Sequence, residues 1–321
     1  MAVVVSWQPD IKVLGELLTQ LVAQQCQVVI IDNGSSNIEA LNQLIAAISH
    51  NILNDTALDT ALDTTLDTAL DTALDTSSHI TLISWPDNRG LATALNEGLR
   101  QAQQKGCELA FLFDQDSRIS ASFCDAMTQA WQKAVAVSPQ PLAAIGPRLQ
   151  DPQSGRKTPF RKFSLWQRTD RQVSMATDLY DTDFIITSGT LLSLPALKAI
   201  GYMKEEYFID NIDLEWCFRA RANGYSLYGT DATCLFHRIG EPSKNPLVNT
   251  GVMVKHSPLR SYYSTRNRLH LRRQAYAPLD WKMRDMLRFT VKTLWLILFS
   301  GQSGDYRREI MRGIRDARTL T

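Results

Sequence analysis

Short runs of aliphatic residues recur along this chain, and between them the apolar positions switch to helical spacing; no other feature narrows the fold so far. VVVSW (3–7) is followed by Ile11, Leu14, Leu17, Leu18, Leu21 and Val22 on one helical face, then by QVVIID (27–32). Strand, helix and strand in that order make a βαβ unit. Further strands are expected at HITLISW (79–85), LAFLFD (109–114), LAAIG (142–146), FIITSG (184–189) and ATCLFH (232–237), with helices over 91–104, 121–134, 195–200 and 211–222. Ser36 and Glu39 have the spacing of a capping box, which predicts another helix over 37–49. The rhythm is that of an α/β fold with a mixed, mainly parallel sheet flanked by helices.

A chain of 321 residues, 44% hydrophobic and 21% charged, has the apolar mass for such a core. Its formal charge of +1 gives no case for a nucleic-acid partner. The charge is unevenly placed: 255–321 holds fifteen Lys and Arg against five Asp and Glu, so the remainder is acidic. Cys26, Cys107, Cys124, Cys217 and Cys234 are odd in number and widely spaced, which indicates neither a disulfide framework nor a zinc site and fits a reducing cytoplasm. MAVVVSWQPD lacks a basic leader and reads as a first strand, not a signal peptide. The longest apolar run, 294–299, falls far short of the roughly 20 residues that span a bilayer.

Two segments depart from the rhythm. Residues 57–76 are five copies of a tetrapeptide, four ALDT and one TLDT, and a four-residue period drifts by about 40° per copy on an α-helix, so the leucines spiral and build little core. This predicts a surface insertion over 55–77, without catalytic role, inside a catalytic domain over 1–240. The second segment, 241–321, is expected to be helical, basic and amphipathic. In LDWKMRDMLRFTVKTLWLILF (279–299), Arg284, Asp285, Arg288 and Lys292 share one face and Leu, Met, Trp and Phe cover the rest. Such a helix either lies in a membrane interface, cations towards anionic headgroups, or packs on the α/β domain or on a second copy of the chain.

In open α/β sheets ligands bind beyond the carboxyl ends of the strands, and polar groups gather there: Asp32, then Asp87 to Gly90, then Asp114 and Asp116. Carboxylates at i and i+2 can direct one group to a sugar nucleotide and the other to a divalent cation that bridges diphosphate oxygens. They can equally begin a turn with Ser117 and cap the next helix. In EEYFIDNIDLEWCFRARANGY (205–225), Asp210 precedes a helix that carries Asp213 and Glu215 in its first turns. The helix dipole favours acids there, and a carboxylate so placed can also accept a proton from a hydroxyl nucleophile. His237, at the end of the last expected strand, suits Mn²⁺ as a third protein ligand beside the two aspartates.

IIDNGSS (30–36), DNRGLATALNEG (87–98), FLFDQDS (111–117), ITSGTLLS (186–193), FIDNIDLEW (208–216), HRIGE (237–241) and YYSTRNR (262–268), in this order, resemble the family 2 glycosyltransferases of GT-A fold, within them the bacterial rhamnosyltransferases. The resemblance implies an inverting, metal-dependent transfer of L-rhamnose from dTDP-L-rhamnose to a hydroxyl of a cell-surface glycan such as O-antigen, capsule or lipopolysaccharide, on a lipid-linked or oligosaccharide acceptor. UDP-galactofuranose or a UDP-hexose is the alternative donor, and an inactive sugar-nucleotide-binding subunit the alternative outside catalysis. By the same resemblance Asp213 is the base. Ser6, Trp7, Asp32, Arg89, Asp114, Arg266 and Asn267 would contact the donor nucleotide. Asp116, Asp114 and His237 would hold Mg²⁺ or Mn²⁺, and Ser188, Gly189, Asp210, Glu215 and Trp216 would support the acceptor side. Ile212 stands where the family has the first acid of a Glu-Asp pair. The enzyme would work in the cytoplasm, peripheral to the inner face of the membrane, with a homo-oligomer as a further expectation.

Overall fold

In the computed structural model, which describes residues 1–63, 79–152, 154–163, 168–173, 178–236, 257–299 and 302–320, the apolar runs become strands. These are β1 (Ala2–Ser6), β2 (Val28–Asp32), β3 (Ile80–Ser84), β4 (Leu109–Asp114) and β5 (Leu142–Gln150). Shorter strands β6 (Arg161–Lys162), β7 (Arg168–Thr169), β8 (Leu179–Asp181) and β9 (Leu191–Ser193) follow, then β10 (Ser226–Phe236). Eight of them form one sheet in the order β3-β2-β1-β4-β9-β5-β10-β8, and β6 pairs with β7. β1 to β4 pair in parallel, as do β5 and β10, while β9 and β8 run antiparallel to their neighbours. The helices are α1 (Ile11–Ala23), α2 (Ile38–Asp63), α3 (Leu91–Gln104), α4 (Phe123–Val137), α5 (Leu194–Ile200), α6 (Ile212–Ala222), α7 (Pro258–Arg273), α8 (Leu279–Phe299) and α9 (Ser303–Asp316).

The strands are apolar throughout because both faces of the sheet are covered. Val3, Val5, Val29 and Ile31 join Leu95 and Leu99 of α3 in one core; Ala2, Val4, Val28 and Ile30 join Leu14, Leu17, Leu18 and Leu21 of α1 in the other. Successive strand residues point to opposite faces, so each strand serves two cores at once. Asp10 starts α1 by accepting from the backbone N–H groups of Lys12 and Val13, at 3.0 and 3.3 Å.

Three expectations change. FIITSG is not a strand: Thr190 Oγ1 donates to the Ile186 carbonyl at 2.6 Å, Gly189 takes a φ of +77°, and pairing begins only at β9. Turn chemistry at Ser188 and Gly189 overrides the β-branched run before it. The helix expected over 37–49 runs on to Asp63, into the first ALDT copies, and 64–76 of the repeat lie outside the described residues. Ser36 donates to Gln8 Oε1 at 2.8 Å, and the helix starts at Ile38, one residue later than a Ser36 cap implies. On α8 the acid of the polar face turns inward, while Arg288 stays exposed: buried Asp285 accepts from Arg268 and Arg272 of α7, each at 2.8 Å, and Trp281 and Leu296 are buried on the same helix. The outward face carries Leu279, Met283, Met286, Leu287, Val291, Leu294 and Leu298, each more than half exposed. No described helix is long and apolar enough to cross a membrane.

Candidate active site

The strand order reverses between β1 and β4, which opens a crevice beyond their carboxyl ends. Register sets the first site residues side by side: Ser6 pairs with Asp32, and Val5 with Asp114. Asp32 is fully buried, and its carboxylate accepts from Ser6 Oγ (3.0 Å), Ser35 N (3.0 Å) and Ser35 Oγ (2.5 Å). Three donors to one carboxylate fix the exit of β2. Asn33 then ties two loops together, donating to Asn88 Oδ1 at 3.0 Å and accepting from Arg89 N at 2.7 Å. The Arg89 guanidinium lies 5.0 Å from the Trp85 ring centroid, at the surface. Trp7 is 53% exposed, and its backbone is clamped by Gln115, whose Oε1 accepts from Trp7 N (2.6 Å) and whose Nε2 donates to Trp7 O (3.1 Å). Asn33 and Gln115 were invisible as site residues in the sequence. Their one signal is chemical, since a side-chain amide can donate and accept at once and so bridge two loops.

Asp114 ends β4 half-buried, and Asp116 is exposed on the turn that follows. Ser117 N donates to the Asp114 carbonyl at 3.1 Å, so the turn forms as expected, but α4 begins only at Phe123 and neither aspartate caps it. Ser188 stands behind this turn: it lies 2.6 Å from Ser117 Oγ and accepts from Asp114 N at 3.4 Å. Gly189 N–H donates to Leu112 O at 2.7 Å. Both therefore buttress the two-aspartate loop. Phe236 N donates to Arg118 O at 2.9 Å, so the end of β10 lies beside Arg118, two residues past Asp116; His237 itself lies outside the described residues. Among the described residues no three His, Cys, Asp or Glu groups are arranged so as to hold a metal ion. Two carboxylates on one short loop still fit Mg²⁺ or Mn²⁺, hard cations that keep several ligand positions for water and phosphate oxygens.

Asp213 is the second residue of α6, against a wall of Ile185, Ile186, Thr187, Met203 and Trp216. Burial raises its pKa first, the nearby Asp114 and Asp210 carboxylates add to the rise, and a 2.8 Å hydrogen bond from Leu214 N opposes it; the result is about 7 against an ordinary 3.8. The base candidate and the β4 aspartate thus lie within each other's field.

The approach to α6 is strained. Phe208 has φ 62° and ψ −61°, with Ile209 N donating to Tyr207 O at 2.6 Å, a γ-turn of the rarer hand. Asp210 and Asn211 follow with φ of 67° and 63°. Such backbones cost about 1–3 kcal/mol each and collect at functional sites. Gly90 is required beside this turn, because a Cβ there would stand 2.6 Å from the Phe208 ring, and Leu91 N donates to Phe208 O at 2.6 Å. From the other side α7 holds it: Arg260 pairs with Asp210 at 2.9 Å, Arg266 donates to the Glu206 carbonyl, and Asn267 is fully buried against the turn. Neither end of the Asn267 side chain is open to a diphosphate, since its amide nitrogen serves the turn's carbonyls and its oxygen accepts from Arg266 Nε at 3.1 Å. Glu215 and Trp216 anchor α6. Glu215 is buried between Arg219 (2.8 Å) and the Tyr276 hydroxyl (2.7 Å), and Trp216 Nε1 donates to Gly201 O at 3.0 Å.

The sequence model of the family described as Glycosyl transferase family 2 matches residues 58–201. Over 324 aligned residues the chain is 27% identical to the dTDP-rhamnosyl transferase RfbF of Shigella flexneri, spanning 100% of this chain and 96% of that one. Among solved structures it is similar to S. aureus TarS 1–349 in complex with UDP-GlcNAc, at a TM-score of 0.57 and 13% identity over 100% of this chain and 81% of that one. It is also similar to GalNAc-T7 with UDP, GalNAc and Mn²⁺, at a TM-score of 0.59 and 10% identity over 98% of this chain and 54% of that one. At such identities the likeness is one of fold.

Proposed function

We propose that this chain, a family 2 glycosyltransferase of GT-A fold, moves L-rhamnose from dTDP-L-rhamnose to a hydroxyl of a cell-surface glycan, inverting the anomeric carbon. The observation that carries the chemistry is Asp213 at the head of α6, a carboxyl whose pKa burial raises to about 7, with the nearby Asp114 carboxylate adding to the rise. A base with a pKa near the working pH is matched to taking a proton from an attacking hydroxyl. The donor reading is supported by the likeness to a dTDP-rhamnosyl transferase along nearly the whole of both chains. Asp114 and Asp116, with His237, would hold the divalent metal, which when bound supplies positive charge to a leaving diphosphate. The clamped Trp7 and Arg89 loops would flank the nucleoside. The test is product analysis with dTDP-L-rhamnose, UDP-galactofuranose and UDP-hexoses offered to lipid-linked oligosaccharide acceptors. A product of inverted configuration from dTDP-L-rhamnose is expected; transfer from UDP-sugars alone overturns the donor, and a retained configuration overturns the single displacement. Binding without any nucleotide release from any donor would favour the inactive subunit.

The acceptor reading extends to place. A glycan carried on a membrane lipid would be met by a cytoplasmic enzyme peripheral to the inner leaflet, with a catalytic domain over 1–240 and a docking region over 241–321. What supports this is the outward apolar face of α8, beside exposed Arg288 and followed by Arg307, Arg308, Arg312, Arg315 and Arg318 on and after α9. Leu287→Glu with Leu294→Glu should release the folded protein from vesicles containing anionic lipid. A change of oligomeric state with vesicle binding intact would assign this face to a second copy instead.

A further inference from the structure

We infer that Asn267 is a positioning residue for the transfer reaction: its amide clamps the strained 207–211 turn and so fixes where Asp213 stands at the head of α6. The inference rests on the reading of Asp213 as the base.

Three carbonyls of one short turn, those of Tyr207, Ile209 and Asp210, converge on the Asn267 Nδ2 group at 2.8, 2.8 and 3.0 Å. They converge because Phe208, Asp210 and Asn211 adopt positive φ, a backbone that residues with side chains leave when nothing holds it. The grip is repeated along one face of α7. Arg260 binds the Asp210 carboxylate, Tyr263 stacks on Phe208 with ring centroids 4.7 Å apart, and Arg266 donates to the Glu206 carbonyl. These positions follow helical spacing, so a rigid helix holds residues 206–210 as a unit. Asp213 comes three residues after the last clamped one, inside the first turn of α6, with only Asn211 and Ile212 between them.

An Asn267 side chain committed at both ends has no group left for a donor diphosphate, yet its loss leaves the Ile209 and Asp210 carbonyls without their donor, while Tyr207 O keeps the Ile209 N–H, and loosens the turn. A displacement of the base by about 1 Å is enough to lower a rate by about 10²-fold. On this reading donor affinity would be set elsewhere, at the exposed Trp7 loop and the Asp114 to Asp116 turn.

The test compares Asn267→Ala, Asn267→Asp and the milder Asn267→Ser, the last retaining one donor should the others fold poorly. On whichever nucleotide sugar the wild type turns over, kcat per folded molecule should fall by about 10²-fold in Asn267→Ala and Asn267→Asp and less in Asn267→Ser, while KM and dTDP affinity stay within about threefold. Weakened dTDP binding with kcat preserved overturns the inference and returns Asn267 to the donor site. Unchanged kcat in all three variants overturns it as well. An Asp213→Asn control run in parallel isolates the premise, since an active control removes the base and leaves the Asn267 rates to be explained without it.

Discussion

Replacing Asp213 by Asn should remove activity and, above neutral pH, stabilise the fold. The carboxyl pKa rises from 3.8 to about 7 on folding, chiefly because burial penalises the charged form. A raised carboxyl pKa means the folded state holds its proton more tightly than the unfolded chain. Its contribution is therefore fully present below pH 3.8 and is lost as pH rises through about 7. Between pH 5 and pH 8 that loss comes to about 2–3 kcal/mol by linkage, and to about 1–2 kcal/mol once partial solvent access is allowed for. Asn cannot ionise, so in EDTA the melting temperature of Asp213→Asn should exceed that of wild type by roughly 2–5 °C at pH 8, with the gap closing towards pH 5. The same change should lower transfer by on the order of 10²–10⁴-fold, the scale of general-base loss. Scanning fluorimetry of both proteins across pH 4.5–8.5, with activity measured alongside, reads both effects. A stability difference that does not change with pH refutes the buried, elevated carboxyl, and an active variant refutes the base.

Other perturbations separate the remaining parts of the site. Asp116→Ala should abolish the component of dTDP-sugar binding that EDTA removes; calorimetry showing equal affinity with and without chelator would exclude it from metal binding. Glu215→Ala should cost about 3 kcal/mol in urea denaturation, because it strands Arg219 and the Tyr276 hydroxyl; a loss below about 1 kcal/mol would show that the buried pair contributes little. Deletion of 57–76 should leave specific activity unchanged, and loss of turnover in a folded deletion variant would give the repeat a role.

The parallel strands were legible because each is apolar on both faces, as β1 and β2 are between α1 and α3. Residues 184–189 misled because Ile185, Ile186 and Thr187 have strand character while the backbone is governed by Ser188 and Gly189 after them. The inward face of α8 was hidden for a different reason: Asp285 is buried by Arg268 and Arg272, partners whose convergence no local pattern records. Asp114, Asp116 and Asp213 stand out by type and by position at element ends. Asn267 was singled out only by the resemblance, and for the donor; its clamp on three backbone carbonyls was hidden because it depends on how a turn folds and not on which side chains it carries.

The central claim is that a dTDP-sugar sits over β1, β2 and β4 and is presented to Asp213. Thermal stabilisation by dTDP-L-rhamnose, UDP-sugars and GDP-sugars, each with Mn²⁺, Mg²⁺ or EDTA, tests it most directly, because a ligand that binds only the folded state raises the melting temperature with its concentration. The account predicts that dTDP-L-rhamnose gives the largest shift, that the shift needs a divalent metal, and that Asp213→Asn retains it. Stabilisation by GDP-sugars alone, or a dTDP-L-rhamnose shift indifferent to EDTA, would contradict it.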